Sequence, residues 1–270
     1  MAQGILSGKK GIIFGALDEN SIAWQVAMQA HAEGAQIVLT NAPVAMRMGA
    51  INNLATAINA PVIPADVANN DDMHNLIAKS MEHFGGGVDF ILHSVGMSLN
   101  VRKGKTYTDL DYDFMHKTMD ISAMSLHRLL QTCMKLDAIK EWGSVVALTY
   151  IAAQRTFPDY NEMAEAKSFL ESIARSFGYH YGVAKKVRIN TISQSPTKTT
   201  AGGGIKGFGA FYNYANEISP LGNASSQDCA KYCISLFSDY TRMVTMQNLF
   251  HDGGFSNTGV SHSVMQKFED

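Results

Sequence analysis

Cysteine is scarce in this chain, with three in 270 residues, at positions 133, 229 and 233. An odd count without regular spacing argues against a disulfide framework and for a reducing compartment. Cys229 and Cys233 lie four apart on an expected helix, but no second Cys or His pair completes a metal-ligand set, so both read as core thiols. Long apolar runs are missing as well: no window approaches the ~20 consecutive apolar residues of a membrane span. The first ten residues lack a basic segment followed by an apolar stretch, so they do not read as a signal peptide. No basic run stands out against a formal net charge of −2, which removes the electrostatic footprint of nucleic-acid binding. The densest cationic stretch, Lys185, Lys186 and Arg188, reads as a solvated helix end. Linkers, repeats and low-complexity tracts are also lacking. The expectation is a cytoplasmic protein of one domain, 1–270, without membrane or nucleic-acid partners.

What the chain does have is a strand–helix alternation. Gly11–Phe14 is a short apolar run ending at Gly15, the pattern of a parallel strand covered on both faces. Ser21 is placed to cap a helix that runs to about Gly34. Strands follow at Gln36–Thr40, near Pro61–Ile63, at Phe90–His93, Ser144–Thr149, Val187–Ile192 and Met246–His251. Helices are expected at Val44–Ile58, Asp71–Phe84, Asp111–Leu136, Tyr160–Tyr181 and Ser226–Phe237. This alternation predicts an α/β fold: a single-domain, Rossmann-type, doubly wound parallel sheet of about seven strands. Residues 197–221 are Gly-rich without strong periodicity and too long for a simple turn, which suggests a lid. The triplet Gly202–Gly204 leaves that backbone many conformations, so ordering it costs entropy that a bound ligand can offset.

Ligands of such sheets bind beyond the carboxyl ends of the strands. Five positions there carry a signal. Gly15 to Ser21 leads from strand to helix, and the helix N-terminus offers free N–H groups to a pyrophosphate; G-x-G-x-x-G is absent, and a generic turn is the alternative. The end of the second strand, Thr40–Pro43, has neither an acid for ribose hydroxyls nor a base for a 2′-phosphate, and Arg47 falls on a helix surface. Asp66 could accept a hydrogen bond from an adenine amino group or simply cap a turn. His93-Ser94-Val95-Gly96 ends the fourth strand. Gly96 allows close approach of a ligand, and His93 reads as a core histidine.

The fifth position is the most informative. Tyr160 and Lys167 follow the fifth strand. On a helix their spacing turns through about 700°, which puts both on one face roughly 10 Å apart along the axis. A nearby ammonium would favour the phenolate and make the tyrosine a better donor.

Together these residues resemble the short-chain dehydrogenase/reductase superfamily, and specifically its enoyl-acyl-carrier-protein reductase branch, from about Leu6 to Ser256. Ordinary members carry Tyr-x-x-x-Lys. Here Ala164 stands four after Tyr160, and Lys167 gives the branch's Tyr-x6-Lys. The upstream serine of ordinary members is missing: Ala147 stands thirteen before Tyr160, and Tyr150 ten before it, as in enoyl reductases. Further branch-like segments are Gly15-x5-Ser21-Ile22-Ala23, Arg188-Ile189-Asn190, Ser195 to Thr199 and His251 to Phe255.

The resemblance implies NADH-dependent reduction of a trans-2-enoyl thioester on acyl carrier protein, by a homotetramer. It implies that Gly15, Ser21 and Ile22 hold the pyrophosphate, that Asp66 and Val67 meet the adenine, that Val95 and Gly96 meet the adenosine ribose, and that Ser94 also contacts the cofactor. Lys167 would bind the nicotinamide ribose. Thr197, Lys198, Thr199, Thr200 and Ala201 would close over the nicotinamide. Tyr160 would donate to the thioester oxygen, Tyr150 would line the acyl pocket, Ser98 would contact substrate, and Lys206 would dock the carrier protein. Ala42 stands where NADH-using members often carry Gln and NADPH-using members carry bases, so NADH is favoured and NADPH is less expected. The competing readings are a carbonyl or alcohol dehydrogenase of the same superfamily, and a non-catalytic dinucleotide-binding regulator.

Overall fold

A computed structural model describes residues 4–47, 49–203 and 207–269. The chain runs β1 (Lys10–Phe14), α1 (Ile22–Ala32), β2 (Gln36–Thr40), α2 (Pro43–Met46), α3 (Ala50–Ala57) and α4 (Asn70–Phe84). It continues through β3 (Val88–His93), α5 (Leu99–Arg102), α6 (Tyr112–Met119) and α7 (Ser125–Lys135), the last two joined by a π-turn at Asp120–Met124. The second half comprises β4 (Ile139–Thr149), α8 (Met163–Lys185), β5 (Arg188–Gln194), α9 (Thr200–Gly203), α10 (Phe208–Ile218), α11 (Ser226–Phe237), β6 (Asn248–His251) and α12 (His262–Met265).

Among the described residues six strands form one all-parallel sheet in the order β2-β1-β3-β4-β5-β6. Alternate strand residues feed two apolar layers. Ile13, Leu39, Leu92, Val146 and Ile192 face α1 and α11, while Ile12, Val38, Ile91, Val145 and Ile189 face α4, α7 and α8. Side chains of this size contribute about 1.5–3 kcal/mol each when withdrawn from water. Caps delimit the helices. Ser21 accepts the Trp24 N–H, Asn69 accepts from Asp71 and Asp72, and Ser225 forms a capping box with Asp228. All three cysteines are free and buried. Among the described residues no helix is long and apolar enough to cross a membrane.

Several expectations need correction. The doubly wound parallel sheet is as expected, with six strands among the described residues rather than about seven. The segment near Pro61–Ile63 pairs with β2 only through a bridge between Leu39 and Val62. Pro61 and Pro64 bracket it, and proline cannot donate to a ladder. The helix expected over Val44–Ile58 is split in two at Gly49, which sits at φ +76°. The helix expected from Tyr160 begins at Met163, because Asn161 takes a left-handed conformation (φ +47°) that an α-helix cannot include. Tyr160 and Lys167 therefore do not share a helix face; a turn carries the tyrosine and the first turns of α8 carry the lysine. Residues 197–221 are not a plain loop, since they include α9 and α10.

Candidate active site

Register brings the carboxyl ends of the strands to one edge: Phe14 pairs with Thr40 and His93, His93 with Ala147, Thr149 with Ser193 and Gln194 with His251. The residues following these ends form the site. Gly15 takes φ +91°, and a Cβ there would lie 2.0 Å from the Ser94 carbonyl oxygen, so both conformation and space require glycine. Ser21 organises the turn that follows. Its hydroxyl donates to the Asp18 carbonyl (2.7 Å) and accepts from Leu17 N–H (3.2 Å). The first N–H groups of α1, beginning at Ile22, face this turn with the positive end of the helix dipole. Asn41 was passed over in the sequence because it is neither acid nor base. Its amide donates to the Ala16 carbonyl (2.9 Å), fastening the end of β2 to the same turn.

Asp66 is exposed and accepts the Ala68 N–H (2.9 Å), while its own N–H goes to Asp72 (2.8 Å). Val67 is half-buried against the core. The pair is brought to the end of β2 by the bond from Ala65 N–H to the Asn41 carbonyl (3.1 Å). After β3, Ser94 and Val95 are half-buried and Gly96 is exposed. His93 is a core histidine. It is fully buried, with Nε2 2.9 Å from the Ser125 hydroxyl, and burial, reinforced by Lys167, depresses its pKa to about 3.

Lys167 is buried at the middle of this edge. Its ammonium donates to the Leu148 carbonyl at 2.9 Å and lies 3.5 Å from that of Val95. It also lies 3.7 Å from where a Cβ on Gly96 would be. Burial lowers its pKa to about 8, with Glu171 opposing the shift. The rings of Tyr150 and Tyr160 stand 5.1 Å apart. Burial pushes both phenols above their ordinary range. This reverses the expectation of a phenolate-favouring Tyr160: the group is held protonated, which is the form a hydrogen-bond donor needs. The Tyr150 hydroxyl is buried without a partner among the described residues.

Tyr150 belongs to an aromatic cluster that the sequence did not reveal. Phe157 (5.4 Å) and Phe211 of α10 (6.3 Å) pack on Tyr150, and Phe255 contacts both phenylalanines at 6.2 Å. These residues come from three distant segments, so no local pattern announces them. The segment after β5 also reaches the β1–α1 turn, where the Thr200 hydroxyl donates to Asp18 at 2.5 Å. Thr197 donates to the Ser195 carbonyl, Thr199 accepts from Gly202 N–H, and the Lys198 ammonium sits 4.4 Å over the Tyr212 ring. Ala201 lies in α9. Lys206 lies outside the described residues. Ser98, expected to meet substrate, caps α5 and donates to Glu162 (2.7 Å), a buried acid that the sequence reading missed.

The model of the enoyl-(acyl carrier protein) reductase family matches residues 15–256. The chain belongs to this family. It is 32% identical over 260 residues to an enoyl-[acyl-carrier-protein] reductase [NADH] of Rhizobium meliloti, covering 95% of both chains. It is likewise 32% identical to the Aquifex aeolicus FabI enzyme, covering 95% of this chain and 94% of that one. Among solved structures, the FabI–NADH complex of Alistipes finegoldii is 62% identical with a TM-score of 0.96, covering 98% of this chain and 94% of the other. A Bacillus cereus enoyl-acyl carrier protein reductase solved with NADP+ is 26% identical with a TM-score of 0.89.

Proposed function

We propose that this chain reduces the trans-2 double bond of an enoyl thioester carried on acyl carrier protein, using NADH. The observation that carries this reading is the pairing of Tyr150 and Tyr160, 5.1 Å apart, on an edge where the β4 position used for serine by ordinary short-chain dehydrogenases is the buried Ala147. A carbonyl reductase lacks reason for that exchange, and a non-catalytic regulator lacks reason to keep a Tyr160 hydroxyl that no hydrogen bond among the described residues engages.

The edge fits a dinucleotide. Gly15 leaves no side chain between β1 and the α1 N-terminus, and Gly96 opens the surface above Lys167. Bound there, NADH supplies hydride to the substrate β-carbon. Gly15, Ser21 and Ile22 hold the pyrophosphate, Asp66 and Val67 the adenine, Val95 and Gly96 the adenosine ribose, and Ser94 contacts the cofactor beside them. Lys167, whose ammonium has one short and one long carbonyl acceptor among the described residues, keeps a donor for the nicotinamide ribose. Thr197 to Ala201 cover the nicotinamide, and 197–221 acts as the lid. The end of β2 offers no base for a 2′-phosphate, which favours NADH over NADPH.

Negative charge develops on the thioester oxygen during reduction. A fixed donor aimed at that oxygen stabilises the transition state more than the ground state. Tyr160, held protonated by burial, is that donor. Tyr150, with Phe157 and Phe211, excludes water from the acyl chain. Ser98 sits beneath the substrate, and Lys206 receives the carrier protein. The free thiols suit a cytoplasmic setting. A second copy of the chain covers the α7–α8 face in a homotetramer: a cavity of about 570 Å³ there is flanked by exposed Phe169 and Met134, with Tyr179 and Val183 further along α8.

The decisive assay follows NADH and NADPH oxidation with crotonyl and longer trans-2-enoyl thioesters beside a panel of ketones. Enoyl-dependent NADH oxidation is expected. Turnover of 3-oxoacyl substrates with inert enoyl ones would overturn the reading.

A further inference from the structure

The Glu162 side chain is fully buried, with no cation within salt-bridge distance among the described residues. One carboxylate oxygen collects three neutral donors: the Ser98 hydroxyl (2.7 Å), the Thr118 hydroxyl (2.8 Å) and the Asn100 amide (3.2 Å). The other oxygen is buried without a partner among the described residues. Burying a carboxyl group this way is expensive. Part of the cost is offset by its place at the N-terminus of the 23-residue helix α8, whose dipole favours negative charge. A core position under no other constraint would carry an apolar residue, so the acid calls for a reason.

Its neighbours supply one. Glu162 stands two residues after Tyr160, in the turn that precedes α8. The adjacent Asn161 is also buried and donates to the Lys105 carbonyl at 2.7 Å. Two consecutive side chains thus staple this turn to residues 98–118, the segment that continues from the Ser94–Gly96 end of β3. Asn100 extends the network, exchanging hydrogen bonds of 3.0 Å with both backbone groups of Asp111. By contrast, no hydrogen bond among the described residues holds the Tyr160 hydroxyl itself. The aim of that hydroxyl must come from the turn beneath it and from the Tyr150 ring. Misplacing a reacting group by about 1 Å can cost on the order of 10²-fold in rate.

We infer that Glu162 is a positioning residue for Tyr160, its buried carboxylate locking the tyrosine's turn onto the Ser98–Asn100–Thr118 donors. The inference rests on Tyr160 being the donor to the thioester oxygen. Glu162→Ala lowers kcat about 10- to 100-fold while the KM for crotonyl thioester and the Kd for NADH stay within about threefold. Glu162→Gln, which keeps an acceptor oxygen for the three donors, recovers most of the rate.

The test is a mutant cycle with Tyr160→Phe. If Glu162 acts through Tyr160, Glu162→Ala adds little to the loss already caused by Tyr160→Phe. Additive losses, or an unchanged kcat in Glu162→Ala, overturn the inference while leaving the donor role of Tyr160 intact. A Tyr160→Phe enzyme of undiminished kcat overturns the donor role and this inference with it. Should Glu162→Ala not fold, Thr118→Val removes one donor from the opposite side and enters the same cycle, with a smaller loss of about threefold expected and additivity again decisive.

Discussion

The Thr200 hydroxyl donates to the Asp18 carboxylate at 2.5 Å, joining residues 182 apart in the chain. This bond ties the segment after β5 to the β1–α1 turn, across the mouth of the proposed dinucleotide site. A hydrogen bond to a charged group contributes roughly 1.5–3 kcal/mol, and less where solvent competes. Thr200→Val is therefore expected to weaken NADH binding about three- to tenfold. Peptides spanning 197–221 should exchange hydrogen more slowly once NADH and an enoyl analogue bind, with part of that protection lost in the variant. Equal exchange in the free and ternary states would mean that the segment is no lid and that the pocket is preformed.

Lys167 and Tyr160 should fail in different ways. The lysine's proposed partners are ribose hydroxyls, so Lys167→Ala chiefly raises the Kd for NADH. The tyrosine's proposed partner is the thioester oxygen. Tyr160→Phe therefore lowers the rate, by up to the ~10²–10³-fold typical of losing such a donor, with NADH affinity nearly unchanged. NADH fluorescence titration beside steady-state rates separates the two. An unaltered Kd in the lysine variant removes its role in cofactor binding.

The same lysine destabilises the free protein. Its folded-state pKa of about 8 lies below the ordinary 10.5. Below pH 8 the group is protonated both folded and unfolded, and the cost of burying the ammonium is fully present, on the order of 3 kcal/mol. Between pH 8 and 10.5 the unfolded chain binds more protons than the folded one, so the penalty fades as pH rises. Lys167→Met removes the penalty but leaves the Leu148 carbonyl without its donor, a loss of about 1–3 kcal/mol. The two effects nearly cancel at pH 7. The slope is the clean observable: in urea unfolding of the NADH-free protein, wild type should gain stability relative to Lys167→Met from pH 8 to 10. A flat difference would mean that the ammonium carries no burial penalty.

Much of this was legible in the sequence because the signals are local. Apolar runs ending in Gly15 and His93 marked strands, and Ser21 marked a cap. Tyr-x6-Lys with Ala147 and Tyr150 marked the family. The errors have physical causes. Periodicity extended α8 back through Asn161, whose left-handed backbone has no periodic signature. Val62 and Ile63 are apolar enough to suggest a strand, but Pro61 and Pro64 supply no N–H with which to extend the ladder beyond a single bridge. Spacing suggested an ammonium acting on Tyr160, but pKa depends on burial, which spacing does not report. Glu162 and Phe211 were missed because what each does depends on residues brought together only by the fold.

Phe211 provides a last test. It comes from α10, within the proposed lid, yet its ring lies 5.2 Å from Phe157 and 6.3 Å from Tyr150, both on the fixed body of the site. Both contacts are edge-on, a geometry worth about 0.5–1.5 kcal/mol per pair beyond the area buried. Phe211 is half-buried, so truncation should not reach the ~3–5 kcal/mol of a core Phe→Ala change. The effect on substrate should depend on chain length. A crotonyl group is too short to need a closed apolar wall, whereas a longer acyl chain lies along it, and each methylene withdrawn from water contributes about 0.8 kcal/mol. Phe211→Ala is therefore expected to raise KM for eight- to twelve-carbon enoyl thioesters about tenfold, changing it for crotonyl thioester by less than about threefold. Phe211→Leu, which keeps most of the apolar volume, should fall between. Equal effects on both lengths would place the acyl chain elsewhere and leave the cluster as packing that docks α10 onto the β4–α8 connection.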